Sequence, residues 1–88
     1  MAHNDKFRVF YDRGVQWAID NFAALRSLYP DRIGLDKMVR DAFNLEGFIE
    51  TMFRSVRAYQ LCRQNQSVAE EQFVSGVCDT IFGNQSMP

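Results

Sequence analysis

The chain has 88 residues, enough for one domain, and carries a net charge of −1 at pH 7. Hydrophobic residues make up 47% of it and aromatic residues 14%, a composition too apolar for a disordered protein. The balanced charge disfavours nucleic acid and acidic membrane surfaces as partners. No apolar run approaches the roughly 20 residues that span a bilayer, and the N-terminus lacks the pattern of a secretory signal. We therefore expect a soluble, cytoplasmic protein.

The first predicted helix covers residues 5–28 and follows a disordered N-terminal segment, residues 1–4. Its apolar residues recur every three or four positions, as on one face of a helix: Phe7, Tyr11, Val15, Ala18, Phe22 and Leu25. Gly14 lies within this helix and lacks a Cβ, which lets another helix approach closely there. Pro30 disfavours helical backbone at the residue before it, so the helix should end at Leu28 or Tyr29.

The second predicted helix covers residues 35–63 and has a heptad-like apolar stripe. Its members are separated by alternating steps of three and four: Leu35, Met38, Ala42, Leu45, Ile49, Met52, Val56 and Tyr59. Asn44 and Gly47 are its weak points. Because the stripe keeps its phase across them, we expect one long helix, and the alternative is a kink in the sequence FNLEG, residues 43–47.

The third predicted helix covers residues 68–82. Ser67 and Glu70 have the spacing of a capping box, in which each side chain bonds the backbone amide of the other residue. Gly83 can end the helix with a positive φ, and residues 84–88 are expected to be a frayed tail.

Together these elements predict an all-α fold, a three-helix bundle with a long or kinked middle helix, in a single domain of residues 5–83. Short connections make neighbouring helices antiparallel. On that geometry Arg57 and Arg63, near the end of the second helix, should lie close to Glu70 and Glu71 at the start of the third.

Few residues of this chain are suited to catalysis or metal binding. The one histidine is His3, which removes histidine-based triads and zinc sites, and neither a Cys-x-x-Cys motif nor a glycine-rich phosphate loop occurs. Cys62 and Cys78 lie in apolar helical contexts and are expected as buried free thiols, with a disulfide bridge between them as the alternative. Glu46 and Glu50 are expected on a solvated face. We therefore expect no enzymatic activity, no metal and no cofactor.

The large apolar residues exceed what one small three-helix core hides, so we expect part of the second helix to be covered by another chain. Such a protein would form a homodimer and act by occupying a surface of a protein partner. It would be an adaptor, a regulator or a stoichiometric inhibitor, a class that includes the anti-defence proteins of phages. The expected interface residues are Phe43, Phe48, Met52, Phe53 and Tyr59, and the expected polar recognition residues are Arg40, Arg54 and Arg57.

Two alternatives stay open at this point. Residues 38–57 can be read as a helix-turn-helix for nucleic acid, although Phe43 is large where a small residue is usual and Glu50 would repel phosphates. Arginines and aromatic side chains can instead form a pocket that sequesters an anion or nucleotide. The residues of that pocket would be Arg40, Arg54, Arg57, Tyr59 and Trp17.

Overall fold

The structure, a computed structural model, describes residues 6–83, and this part of the chain is helical without a strand. The predicted disordered segment 1–4 and frayed tail 84–88 lie outside the described residues. Within residues 6–83, six helices follow one another in a compact arrangement: α1 (Arg8–Asp20), α2 (Phe22–Leu28), α3 (Arg32–Phe43), α4 (Phe48–Phe53), α5 (Val56–Gln64) and α6 (Gln66–Phe82). The all-α prediction is confirmed, while each of the first two predicted helices is divided.

The first predicted helix is interrupted at Asn21, between α1 and α2. The amide nitrogen Nδ2 of Asn21 donates to the carbonyl oxygen of Trp17 at 2.8 Å, where the residue's own backbone N–H also donates at 3.1 Å. An asparagine side chain that competes for backbone partners in this way weakens a helix locally. The second part, α2, ends at Leu28, and Tyr29 is extended as the following proline requires.

The prediction of one unbroken helix over residues 35–63 is wrong, because the chain leaves helical geometry twice. The first break is the turn 44–47, in which the Asn44 side chain donates to the Arg40 carbonyl at 2.8 Å and Gly47 has φ +83°. The second break is at Arg54, which has the left-handed φ of +53°, and Ser55 then caps α5 by accepting from the Ala58 N–H. Of the eight stripe residues only Leu35 is fully buried, and Leu45, Val56 and Tyr59 are exposed. The regular spacing of apolar residues therefore did not correspond to one buried helix face, and it did not reveal the breaks.

Two helix starts also differ from their predictions. The α3 helix begins at Arg32, within the predicted turn, because the Asp31 carboxylate accepts from the Gly34 N–H at 2.7 Å. The α6 helix begins at Gln66, because the Asn65 side chain accepts from the Val68 N–H at 3.3 Å. Asn65 therefore takes the capping role that the sequence assigned to Ser67.

The core is built around α6, which packs against α1, α2, α3 and α5. The closest crossing is between α1 and α6, where two glycines face the opposite backbone. A Cβ at Gly14 would collide with the Phe73 carbonyl oxygen, and one at Gly76 would collide with the Tyr11 carbonyl oxygen. The close approach predicted at Gly14 is thus present, with Gly76 as its counterpart on α6.

Candidate interaction surface

Three of the five predicted interface residues belong to an aromatic cluster inside the chain. Phe43 and Phe48 each lie 5.6 Å from the Phe73 ring, centroid to centroid, and Phe53 lies 4.9 Å from the Phe10 ring. Phe43 is only 2% exposed, so a partner cannot contact it without opening the core. Its assignment to the interface is therefore corrected: Phe43 follows Leu35 and Val39 at steps of four on the buried face of α3, a row of which the heptad stripe included only Leu35.

The other predicted residues differ in how far they reach the surface. Phe48, Met52 and Phe53 are partly buried against the core, and the Met52 carbonyl accepts a hydrogen bond from Arg13 Nε at 3.2 Å. Tyr59 is 38% exposed. Of the five, Tyr59 is therefore the side chain that a second protein can contact most directly.

Exposed apolar and charged side chains lie on both sides of Tyr59. Two adjoining grooves, of about 310 and 340 Å³, share Tyr59 and Glu50 in their walls. Leu45 is 65% exposed and Val56 is 74% exposed, values that are high for large apolar side chains. We call this surface the α4–α5 face and define it by eight residues: Leu45, Glu46, Ile49, Glu50, Arg54, Val56, Tyr59 and Arg63.

The charges on the α4–α5 face are balanced. It carries two carboxylates, of Glu46 and Glu50, and two guanidinium groups, of Arg54 and Arg63. None of the four forms an ion pair with another residue of the range 6–83. Arg63 lies over the Tyr59 ring at 5.9 Å from its centroid. The face therefore presents unpaired charges of both signs around exposed apolar side chains.

Arg40, predicted as a recognition residue, is instead bound by its own chain. It contacts Asp36 at 2.6 Å, Glu70 at 3.2 Å and Glu71 at 2.9 Å. The hydrogen bond that Arg40 donates to the Asp36 carboxylate is the largest of the influences that raise the pKa of Arg40. These ion pairs connect α3 to α6. Arg40 therefore pairs with Glu70 and Glu71, the residues that the sequence analysis had placed next to Arg57 and Arg63.

The basic aromatic pocket predicted from the sequence is not assembled. Arg54 lies in the α4–α5 face, whereas Arg57 lines a different groove, between α1 and α5. Trp17 packs against Phe73 with 6.3 Å between ring centroids. The arginines therefore face separate surfaces, and neither shares a pocket with Trp17.

Both cysteines are buried free thiols, Cys62 at 7% exposure and Cys78 at 1%. Burial raises the pKa of both thiols, that of Cys78 to about 11. Such thiols are protonated at neutral pH and react slowly. Between residues 6 and 83, no group of three or more His, Cys, Asp or Glu residues is placed to bind a metal ion.

None of the helices in the described part of the chain has the length and apolar character that crossing a membrane demands. Searches with protein-family models, against curated proteins and against solved structures found no significant match to this chain. Function is therefore argued from the surfaces of the molecule itself.

Sequence reasoning missed Leu45 and Val56 as surface residues because it placed both in one buried stripe. The available signals were Gly47 and Ser55, residue types that favour helix boundaries next to each of them. The remaining determinant, the left-handed backbone at Arg54, has no signal in the sequence.

Proposed function

We propose that this protein is a non-enzymatic interaction module that forms a homodimer through the α4–α5 face. The observation that carries the proposal is the exposure of Leu45 and Val56 beside Tyr59, within a surface whose charges are unpaired. Contiguous exposed apolar patches on small domains mark sites of association. The cellular role we propose is that of a cytoplasmic adaptor, regulator or stoichiometric inhibitor, the class to which phage anti-defence proteins belong, in which a protein partner is bound by the dimer.

A second copy of the chain is the occupant that the charges favour. In a two-fold symmetric interface the same patch of both copies is in contact. If one residue of the first copy contacts a second residue of the other copy, the reverse contact is also made. The face carries equal numbers of acids and arginines, which allows the acids of one copy to meet the arginines of the other. A partner of strongly acidic or basic character would leave one of these pairs opposed by a like charge.

Nucleic-acid binding through a helix-turn-helix is disfavoured by the length and orientation of α4. The helix has 6 residues and four of them, Phe48, Ile49, Met52 and Phe53, are partly buried against the core. Six residues span about 9 Å, less than two turns, and the exposed positions are Glu50 and Thr51. A carboxylate at the reading position repels phosphates, so α4 is poorly suited to the major groove.

Light scattering on a sizing column tests the proposal directly. We expect a mass of twice the 10.2 kDa of one chain, and we expect Val56→Glu and Leu45→Glu to give monomers that keep their helical circular dichroism. Ile33→Glu is the matched control, because Ile33 is 83% exposed on α3 and lies outside the α4–α5 face. A wild-type protein that stays monomeric at every concentration tested would overturn the homodimer.

A further inference from the structure

A third groove lies on another side of α5, between α1 and α5, and its volume is about 400 Å³. Its apolar walls are formed by Val9, Phe53, Ala58 and Leu61. The volume lies within the range of roughly 300–1,000 Å³ that small-molecule sites occupy. The groove is therefore large enough for a small molecule with an apolar body.

The polar groups of this groove are predominantly cationic. Lys6, Arg13 and Arg57 contribute three positive charges, and Asp12 is the one carboxylate in the walls. The Asp12 carboxylate is paired with Arg8 at 3.1 Å, and Lys6 donates to the Gln64 side chain at 3.2 Å. Arg57 forms no ion pair with another residue in the described range. The walls thus leave positive charge available to a ligand.

Arg13 supplies an independent indication. Its Nε donates to the Met52 carbonyl at 3.2 Å, which fixes the guanidinium plane beside the groove. Its Nη1 is buried and has no hydrogen-bond partner among residues 6–83. A buried donor left without an acceptor is unfavourable, more so when it is charged, and native proteins rarely contain one. An acceptor in the groove would satisfy this donor once the Arg13 side chain rotates to expose Nη1.

From these observations we propose that the α1–α5 groove binds a small amphipathic anion, with its acidic head at Arg13 and Arg57 and its hydrocarbon body along Val9 and Phe53. The head is a carboxylate or a phosphate monoester, since both accept charge-assisted hydrogen bonds from guanidinium groups. The apolar walls select a hydrocarbon body over a sugar or a nucleobase, which needs polar partners. Ser55 lines both this groove and one groove of the α4–α5 face. The four residues that contact the anion lie outside that face, so its binding does not depend on the homodimer.

The test is a titration of the full chain by calorimetry and by amide NMR shifts, with octanoate as the probe. Octanol is the neutral control with the same chain, and octyl phosphate replaces the head group. We expect saturable binding of octanoate that shifts amides of α1 and α5, and binding of octanol that is about tenfold weaker or more, since one charge-assisted hydrogen bond is lost. Tighter binding of octyl phosphate identifies a phosphate monoester as the natural head, and tighter binding of octanoate identifies a carboxylate.

Two matched variants locate the site. Arg57→Gln is expected to weaken octanoate binding about tenfold, whereas Lys37→Gln, which removes an exposed cation of α3 outside both this groove and the α4–α5 face, leaves it unchanged. The proposal is overturned by the absence of saturable binding at about 1 mM octanoate, by equal affinity for octanol, or by equal effects of the two variants. A dimer that fails to bind octanoate would refute this site alone, because the mass measurement reports on the α4–α5 face.

Discussion

Charge inversion on the α4–α5 face gives the sharpest test of a two-fold interface. Glu50 and Arg54 line the same groove and neither is paired within the described part of the chain. The variant Glu50→Arg makes the charged residues of that groove positive, and Arg54→Glu makes them negative. Each variant alone would oppose like charges across the symmetry axis, whereas a mixture of the two would oppose unlike charges in both symmetric contacts.

The expected change in dimer affinity follows from the solvent exposure of the Glu50–Arg54 pairs between the two copies. An exposed ion pair contributes about 0.5 kcal/mol, so changing attraction into repulsion shifts each contact by about 1 kcal/mol. The two-fold axis repeats the contact, which gives about 2 kcal/mol and a dissociation constant raised roughly 30-fold. The heterodimer of the two variants should recover an affinity close to that of the wild-type dimer.

Analytical ultracentrifugation, with one variant carrying a fluorescent label, measures these affinities separately and in mixture. Increasing the salt concentration should reduce the difference between the single variants and their mixture, because salt screens exposed charges. If both single variants dimerise as tightly as the wild type, or if mixing them restores nothing, these two residues do not face each other across an axis. The symmetric pairing would then be wrong, although the apolar patch would still be tested by Val56→Glu.

Two further predictions concern the core. Gly14→Ala should lower the free energy of unfolding by about 2 kcal/mol and the melting temperature by roughly 8–16 °C, because the added Cβ meets the backbone of Phe73. Gly34→Ala on α3 is the control and should be neutral or stabilising, since the atom nearest to its Cβ is a side-chain oxygen at 3.3 Å. Equal melting temperatures of the two variants would refute the close crossing. Stability should fall by up to about 2 kcal/mol between pH 9 and 11, because burial raises the pKa of the Cys78 thiol to about 11 and the unfolded chain releases this proton at lower pH. Urea unfolding across this range measures the effect. Cys78→Ala should make the fall smaller without removing it, since burial also raises the pKa of Cys62, and a fall of equal size in both proteins would contradict the prediction.

Local rules recovered the parts of this fold that depend on local chemistry. The end of α2 before Pro30 follows from the backbone restriction that proline imposes on Tyr29. The crossing at Gly14 follows from a missing Cβ in an otherwise apolar face. The all-α fold class follows from apolar residues that recur every three or four positions.

The sequence failed where tertiary contacts decide between two locally acceptable structures. Periodicity shows which apolar residues would share one face of an uninterrupted helix, but it does not report whether the chain continues straight or folds back between them. Arg54 adopts a left-handed conformation that costs a non-glycine residue about 1–2 kcal/mol, so packing on both sides of it must compensate. The pair of Arg40 with Asp36 is four residues apart on α3, but Glu70 and Glu71 could be assigned to Arg40 only after α3 and α6 were placed side by side.

The break at Arg54 also determines how the two proposed surfaces relate to each other. Ala58, Leu61 and Cys62 bury one side of α5, which packs on α6. Arg57 and Tyr59 are two residues apart, about 200° around a helix, so they project to opposite sides of that buried strip. Arg57 accordingly lines the α1–α5 groove and Tyr59 lies in the α4–α5 face. Because one helix separates the two surfaces, Arg57→Gln should change anion binding without changing the mass of the assembly, and Val56→Glu should do the reverse.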